Sequence, residues 1–183
     1  MPDYSTRPLD ARTWPDFARL VEAHDGVFGG CWCMSFHPEG VGRHRSAAQN
    51  RADKELRVRD GRAHAALVYD GAACVGWCQF GPPEELPRIK NLRAYADGLT
   101  ALPDWRITCI FVDKRHRGQG VARAGLEAAL DQIARLGGGL VKAIPEMTGG
   151  REAQGRFLFS ATVEIFEQFG FTRIRRDGKN ARN

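Results

Sequence analysis

No apolar run in the 183-residue chain reaches the roughly 18 residues that a helical membrane span requires, because charge or glycine interrupts each one. The opening Met1-Pro2-Asp3-Tyr4 offers neither a basic n-region nor an apolar h-region, so no secretory signal is visible and a cytoplasmic protein is expected. Cysteine is scarce and odd in number: the five, at 31, 33, 74, 78 and 109, argue against a closed disulfide framework and for reduced thiols. Lysine is scarcer than arginine, 5 against 22, yet the net charge is only +5 and no block of five or six like charges occurs. A clustered basic helix or an aromatic-basic stripe is also missing, which removes the grounds for nucleic-acid binding. There is no internal repeat and no low-complexity segment. What is present, 43% hydrophobic and 27% charged residues, is the composition of an ordinary globular domain. A chain of this length buries about 70% of its unfolded surface, so residues 1–183 are expected to form a single domain without staples.

Tyr4–Leu9 reads as an edge strand, since Pro8 bars it from the middle of a sheet. Thr13-Trp14-Pro15 opens a helix with Trp14, Phe17, Leu20 and Val21 on one face, ending near Gly26. A loop rich in Gly, Cys and aromatics follows, after which Ser46 caps a highly charged helix reaching about Asp60. Residues 65–69 and 73–80 form a hairpin around Asp70-Gly71. Pro82, Pro83 and Pro87 then break the pattern, with one short helix expected near Ile89–Leu99. Arg106–Val112 is β-rich, and a glycine-rich turn leads into a helix carrying Val121, Ala122, Leu126, Ala129, Leu130 and Ile133, stopped by Gly137-Gly138-Gly139. A strand at 140–144, a helix over 157–169 and a last strand at 171–175 complete the order β-α-α-β-β-(loop)-β-α-β-α-β. The hairpin must be antiparallel and the strand-helix-strand unit parallel.

The chemistry lies in Val112-Asp113-Lys114-Arg115-His116-Arg117-Gly118-Gln119-Gly120-Val121-Ala122. A strand end passes through basic residues into a turn whose glycines let backbone N–H groups converge at the positive end of a helix, which makes an anion site. A Walker loop is absent everywhere. The dinucleotide fingerprint fails as well: Arg123 stands in its sixth place, and five residues separate Val112 from Gly118.

The segment resembles the acetyl-coenzyme A signature of the GNAT superfamily of N-acetyltransferases, [Arg/Gln]-x-x-Gly-x-[Gly/Ala], through Arg115, Gly118 and Gly120. A second resemblance, Phe166-Glu167-Gln168-Phe169-Gly170-Phe171, is similar to the superfamily's helix-to-strand element. The resemblance implies an α+β fold: a mixed, mostly antiparallel twisted sheet flanked by helices, with a β-α-β acyl-CoA-binding core over about 106–176. It implies backbone of Ile110 and Val112 along the pantetheine arm, and Arg115, Arg117, Gly118, Gln119, Gly120, Val121 and Ala122 around the pyrophosphate. Acetyl-CoA is then a substrate with no metal required, and its acetyl group passes directly to an amine of a small molecule or protein within a ternary complex. Alternatives are a different acyl-CoA or acceptor, and a CoA-binding module of the same shape without chemistry.

The superfamily often carries a tyrosine as general acid where this chain has Phe166, so that role is vacant or moved; Ser160 and Tyr95 are the hydroxyls in reach of the argument. Glu84, Glu85 and Asp104 flank the approach to the central strand, and Glu85 and Asp104 are the candidate bases. His116 lies inside the phosphate loop and belongs to no zinc pattern. Cys31, Cys33 and His37 lack a second cysteine pair at metal spacing, so no metal is expected. The acceptor side is expected at loops 26–45 and 81–104, with Trp32, Met34, Phe36 and Trp77 either walling an apolar pocket or filling the core beneath the helices. The seven residues after Arg176 do not look like a final strand, so a short last strand, an exposed sheet edge or a homodimer that covers it is expected.

Overall fold

The computed structural model describes residues 3–89, 101–143 and 163–172. Among the described residues, five strands form one sheet in sequence order: β1 (Ser5–Pro8), β2 (His64–Asp70), β3 (Ala73–Gly81), β4 (Trp105–Val112) and β5 (Val141–Ala143). The first three neighbour pairs are antiparallel and β4–β5 is parallel, the mixed and mostly antiparallel sheet expected. Four α-helices are described: α1 (Trp14–Glu22), α2 (Ala47–Arg59), α3 (Val121–Arg135) and α4 (Val163–Gln168). The expected helix at 89–99, the first part of the 157–169 helix and most of the last strand lie outside the described residues.

Local chemistry accounts for most boundaries. Ser46 and Gln49 form a reciprocal capping box at α2, satisfying two amides that the helix itself cannot. Thr13 occupies the N-cap of α1 but does not cap it; its hydroxyl donates to Pro8 C=O at 2.7 Å instead, tying the helix to the end of β1. The β2–β3 turn is Gly71-Ala72, one residue later than expected, because Asp70 pairs with Ala73 as the last rung of the ladder.

The sheet separates two apolar layers. On one face Trp14, Phe17, Leu20 and Val21 of α1 pack on Leu67, Tyr69, Trp77, Cys109 and Phe111, with Trp77 stacked on Phe111 at 4.5 Å between centroids. On the other, Leu126, Ala129 and Ile133 of α3 and Phe166 of α4 pack on Ala66, Cys78, Phe80, Ile107 and Ile110. Ile107 and Ile110 share a face although they are three apart, which simple alternation forbids. The cause is a bulge: Gln79 pairs with Cys109 and Phe80 with Ile107, leaving Thr108 as the extra residue.

Candidate active site

The bulge fixes which peptide groups of β4 face outward. Below it, Trp105 N–H points toward β5 and bonds Leu140 C=O; above it, Asp113 N–H points the other way and bonds Val75 C=O on β3. By alternation, the peptide N–H and C=O groups of Ile110 and Val112 face away from β3. β5 pairs with β4 at Trp105–Val141, Arg106–Lys142 and Ile107–Ala143.

Beyond Val112 the chain makes a 3-10 turn at Lys114–His116 and enters α3 through Gly118 and Gly120. Both glycines adopt left-handed backbone, φ +71° and +91°, which side-chain-bearing residues rarely accept. A Cβ at Gly118 would meet nothing within 4 Å, so the loop is open on that side. The first bond donated within α3 comes from Ala124 N–H to Gly120 C=O, leaving the preceding amides of the first turn for an external acceptor. Lys114, Arg117 and Arg123 are exposed around this loop. The residues therefore fit a pyrophosphate: open space, converging amides and cationic side chains.

Asp113 organises the approach. Its carboxylate accepts Arg115 N–H at 2.9 Å and the Arg115 guanidinium at 2.9 Å, and His24 Nε2 lies 3.7 Å from it. Gln119 folds back to donate to Arg115 C=O at 2.9 Å. Arg115 is therefore the loop's internal brace, while exposed Arg117 is the freer cation. The Arg115 bonds outweigh burial and pull the Asp113 carboxyl from 3.8 down to about 2. Because this folded-state value is depressed, the stabilisation is present above the unfolded value and disappears as pH falls from about 4 toward 2. Asp113→Asn should accordingly lower the melting temperature at pH 6, with the gap from wild type narrowing between pH 4 and 2. A gap independent of pH would contradict this assignment.

The other expected site residues are distributed as follows. Trp32, Met34 and Trp77 are buried in the layer beneath α1, and Phe36 is half-buried against it. Glu85 is buried and accepts His64 N–H at 3.0 Å, with His64 Nδ1 2.8 Å from its other oxygen. Asp104 is exposed and accepts Leu140 N–H, bracing the start of β5. It sits at the opposite end of β4 from the phosphate loop, roughly 25 Å away for a strand of this length. Phe166 is buried and meets Phe171 edge-on at 5.2 Å. Ser160 and Tyr95 lie outside the described residues. Cys31, Cys33 and His37 form no metal cluster: no group of three or more His, Cys, Asp or Glu among the described residues could hold an ion.

Sequence reasoning misses a polar network in the core. Lys54 of α2 is 1% exposed, and its Nζ donates to Gln79 Oε1 at 2.6 Å, His37 Nε2 at 3.0 Å and Cys33 C=O at 3.5 Å. Gln79 Nε2 donates in turn to Thr108 Oγ1 at 3.1 Å. His37 Nδ1 lies 3.1 Å from Glu85 C=O, and burial with the nearby Lys54 and Arg57 charges pulls the ring's pKa down to about 2, keeping it neutral. The available signal is that the inward stripe of α2, Asn50, Lys54, Arg57 and Val58, contains one apolar residue.

The profile of the Acetyltransferase (GNAT) family matches residues 17–171. No protein of curated function matches the chain. Among solved structures, histone acetyltransferase HPA2 and related acetyltransferase from Corynebacterium glutamicum is 18% identical with TM-score 0.55, covering 98% of this chain and 93% of its own. An N-acetyltransferase from Staphylococcus aureus, 13% identical, gives TM-score 0.52 over 98% of this chain and 94% of its own. The Salmonella typhimurium protein yncA, solved with its cofactor acetyl-CoA, is 13% identical with TM-score 0.53 over 98% of this chain and 90% of its own. At these identities the structures bear on the fold, and the profile match bears on the lineage. With the glycine turn at the head of α3, they make this chain a member of the GNAT acetyltransferase family.

Proposed function

We propose that the protein transfers an acetyl group from acetyl-CoA to a primary amine, directly and within a ternary complex. The observation that carries this reading is the open Gly118–Gly120 turn, which delivers the amides of the α3 N-terminus beside the outward edge of β4. In this reading the peptide groups of Ile110 and Val112 receive the pantetheine arm as an added strand. The amides of residues 117–122, with Arg117, take the pyrophosphate. The amine attacks the thioester carbon, a proton leaves the amine, and CoA departs as its thiolate. Glu85 is the candidate proton acceptor, working with His64, whose side chain is 31% exposed and reaches it at 2.8 Å. Asp104, exposed and holding Leu140 N–H, is the alternative candidate. A weakly basic thiolate can leave unassisted, so Phe166 does not preclude turnover.

The buried Phe166, which has no hydroxyl, favours one second reading: a domain that holds CoA without acting on it. Phe166→Tyr is expected to leave acetyl-CoA affinity unchanged and to raise turnover in an amine-library assay. Unchanged turnover would show that a general acid is not the missing part.

The direct test is a thermal-shift titration with acetyl-CoA, CoA and NADH. A ligand at 100 times its dissociation constant adds about 2.7 kcal/mol. For a domain of this size that is a rise of roughly 5–10 °C. Both CoA species should produce it and NADH should not; no shift with any ligand would remove the acyl-CoA reading.

A further inference from the structure

Lys54 presents a physical problem. Burial disfavours its charged form and pushes its pKa down. Among the described residues no carboxylate lies within ion-pair distance of it, yet its three polar contacts all meet acceptors: an amide oxygen, the bare nitrogen of a neutral imidazole and a peptide carbonyl. Three acceptors suit the three protons of an ammonium, whereas a neutral amine would need a donor for its lone pair. A buried charge of this kind is weak evidence of stabilisation, since apolar replacements of similar volume are often neutral or better.

Its effect is directional. An ammonium can only donate, so Gln79 must turn its oxygen to Lys54 and its NH2 group to Thr108. Thr108 is the bulged residue at which β4 changes which peptides face outward. Were the bulge lost, with Thr108 pairing with Gln79, the strand beyond would shift by one and Cys109 and Phe111 would face outward in place of Ile110 and Val112. We propose that Lys54 is a positioning residue for acyl-CoA binding: through Gln79 it pins the Thr108 bulge and thereby sets the β4 edge that receives the pantetheine arm. This inference rests on the acyl-CoA reading above.

The test separates the two ends of the ligand by calorimetric titration with acetyl-CoA and, in parallel, with 3′-phospho-ADP, which keeps the pyrophosphate but lacks pantetheine. Lys54→Met should weaken acetyl-CoA at least tenfold and 3′-phospho-ADP less than twofold, a split that general destabilisation would not give. Thr108→Val should behave likewise, Thr108→Ser should remain within threefold of wild type, and the Lys54→Met/Thr108→Val double variant should be no weaker than the worse single variant. Acetyl-CoA affinity within threefold of wild type in Lys54→Met overturns the inference, as does equal loss of both ligands. If Lys54→Met does not fold, Thr108→Val decides by the same criteria. Wild-type protein that binds neither ligand overturns the acyl-CoA reading, and this inference with it; intact wild-type binding with unaffected variants overturns this inference alone.

Discussion

Gly120→Glu is expected to abolish CoA binding, with a loss of more than a hundredfold, while the protein still folds. Two local effects oppose one another in the free protein. Left-handed backbone at φ +91° costs a side-chain-bearing residue about 1–2 kcal/mol. A carboxylate at a helix N-cap recovers about 0.3–1 kcal/mol from the helix dipole and the unpaired amides. The same carboxylate then occupies the place of the phosphate anion, so the site neutralises itself and repels the ligand. Gly120→Ala carries the backbone strain without the charge and should retain more affinity than the glutamate variant. Titration calorimetry with CoA, alongside thermal melts of both variants, measures the two contributions. Undiminished affinity in Gly120→Glu would remove the anion site from its proposed position.

Gly76→Val should cost more stability than any of the other single substitutions. Gly76 lies on β3 between Val68 of β2 and Val112 of β4, at the point where α3 begins. An ideal Cβ there would fall 2.6 Å from Phe111 C=O and 2.7 Å from Val121 Cγ1. The first is backbone of β4 and the second is the buried first residue of α3, so neither is a flexible side-chain tip that can swing aside. Overpacking of this kind costs about 3 kcal/mol or more. At roughly 2–4 °C per kcal/mol for a domain of this size, the melting temperature should fall by about 6–12 °C. The displacement also bears on the first turn of α3, so acetyl-CoA affinity should fall in the same variant. A melt within about 2 °C of wild type would mean that α3 can move off the sheet at little cost, and would refute the close approach as a constraint.

Local signals explain what can be read from the sequence. The β2–β3 hairpin, the inward face of α1, the Ser46 cap and the glycine entry to α3 depend on neighbours within a few residues, and each is legible. The Thr108 bulge is not. Nothing in Arg106–Val112 marks one residue as extra, since the bulge is defined by pairing with β3, some 30 positions earlier in the chain. Lys54 is hidden for a related reason. On a helix as charged as α2, a lysine reads as solvated, and only the tertiary placement of His37 and Gln79 shows that it faces inward. The glycine turn of the proposed anion site is therefore visible from residue types alone. The acceptor half depends on contacts far apart in sequence, and there Trp32, Met34 and Trp77 are buried beneath α1.

The bulge also gives β4 something like a reading frame. A one-residue insertion or deletion in the Gly71-Ala72 turn would be absorbed by the loop, because the strands on either side keep their pairing. Losing Thr108 itself would also be absorbed, because Ile107 and Cys109 already face opposite layers and would become ordinary neighbours paired with Phe80 and Gln79. Gaining a residue between Cys109 and Val112 would not: it would turn the residues on one side of it toward the opposite layer and hand the outward edge to the wrong peptides. Insertions among functional relatives should therefore collect in the turns and be excluded from the strand between Cys109 and Val112. A library of single-codon insertions across this gene would reveal that boundary directly.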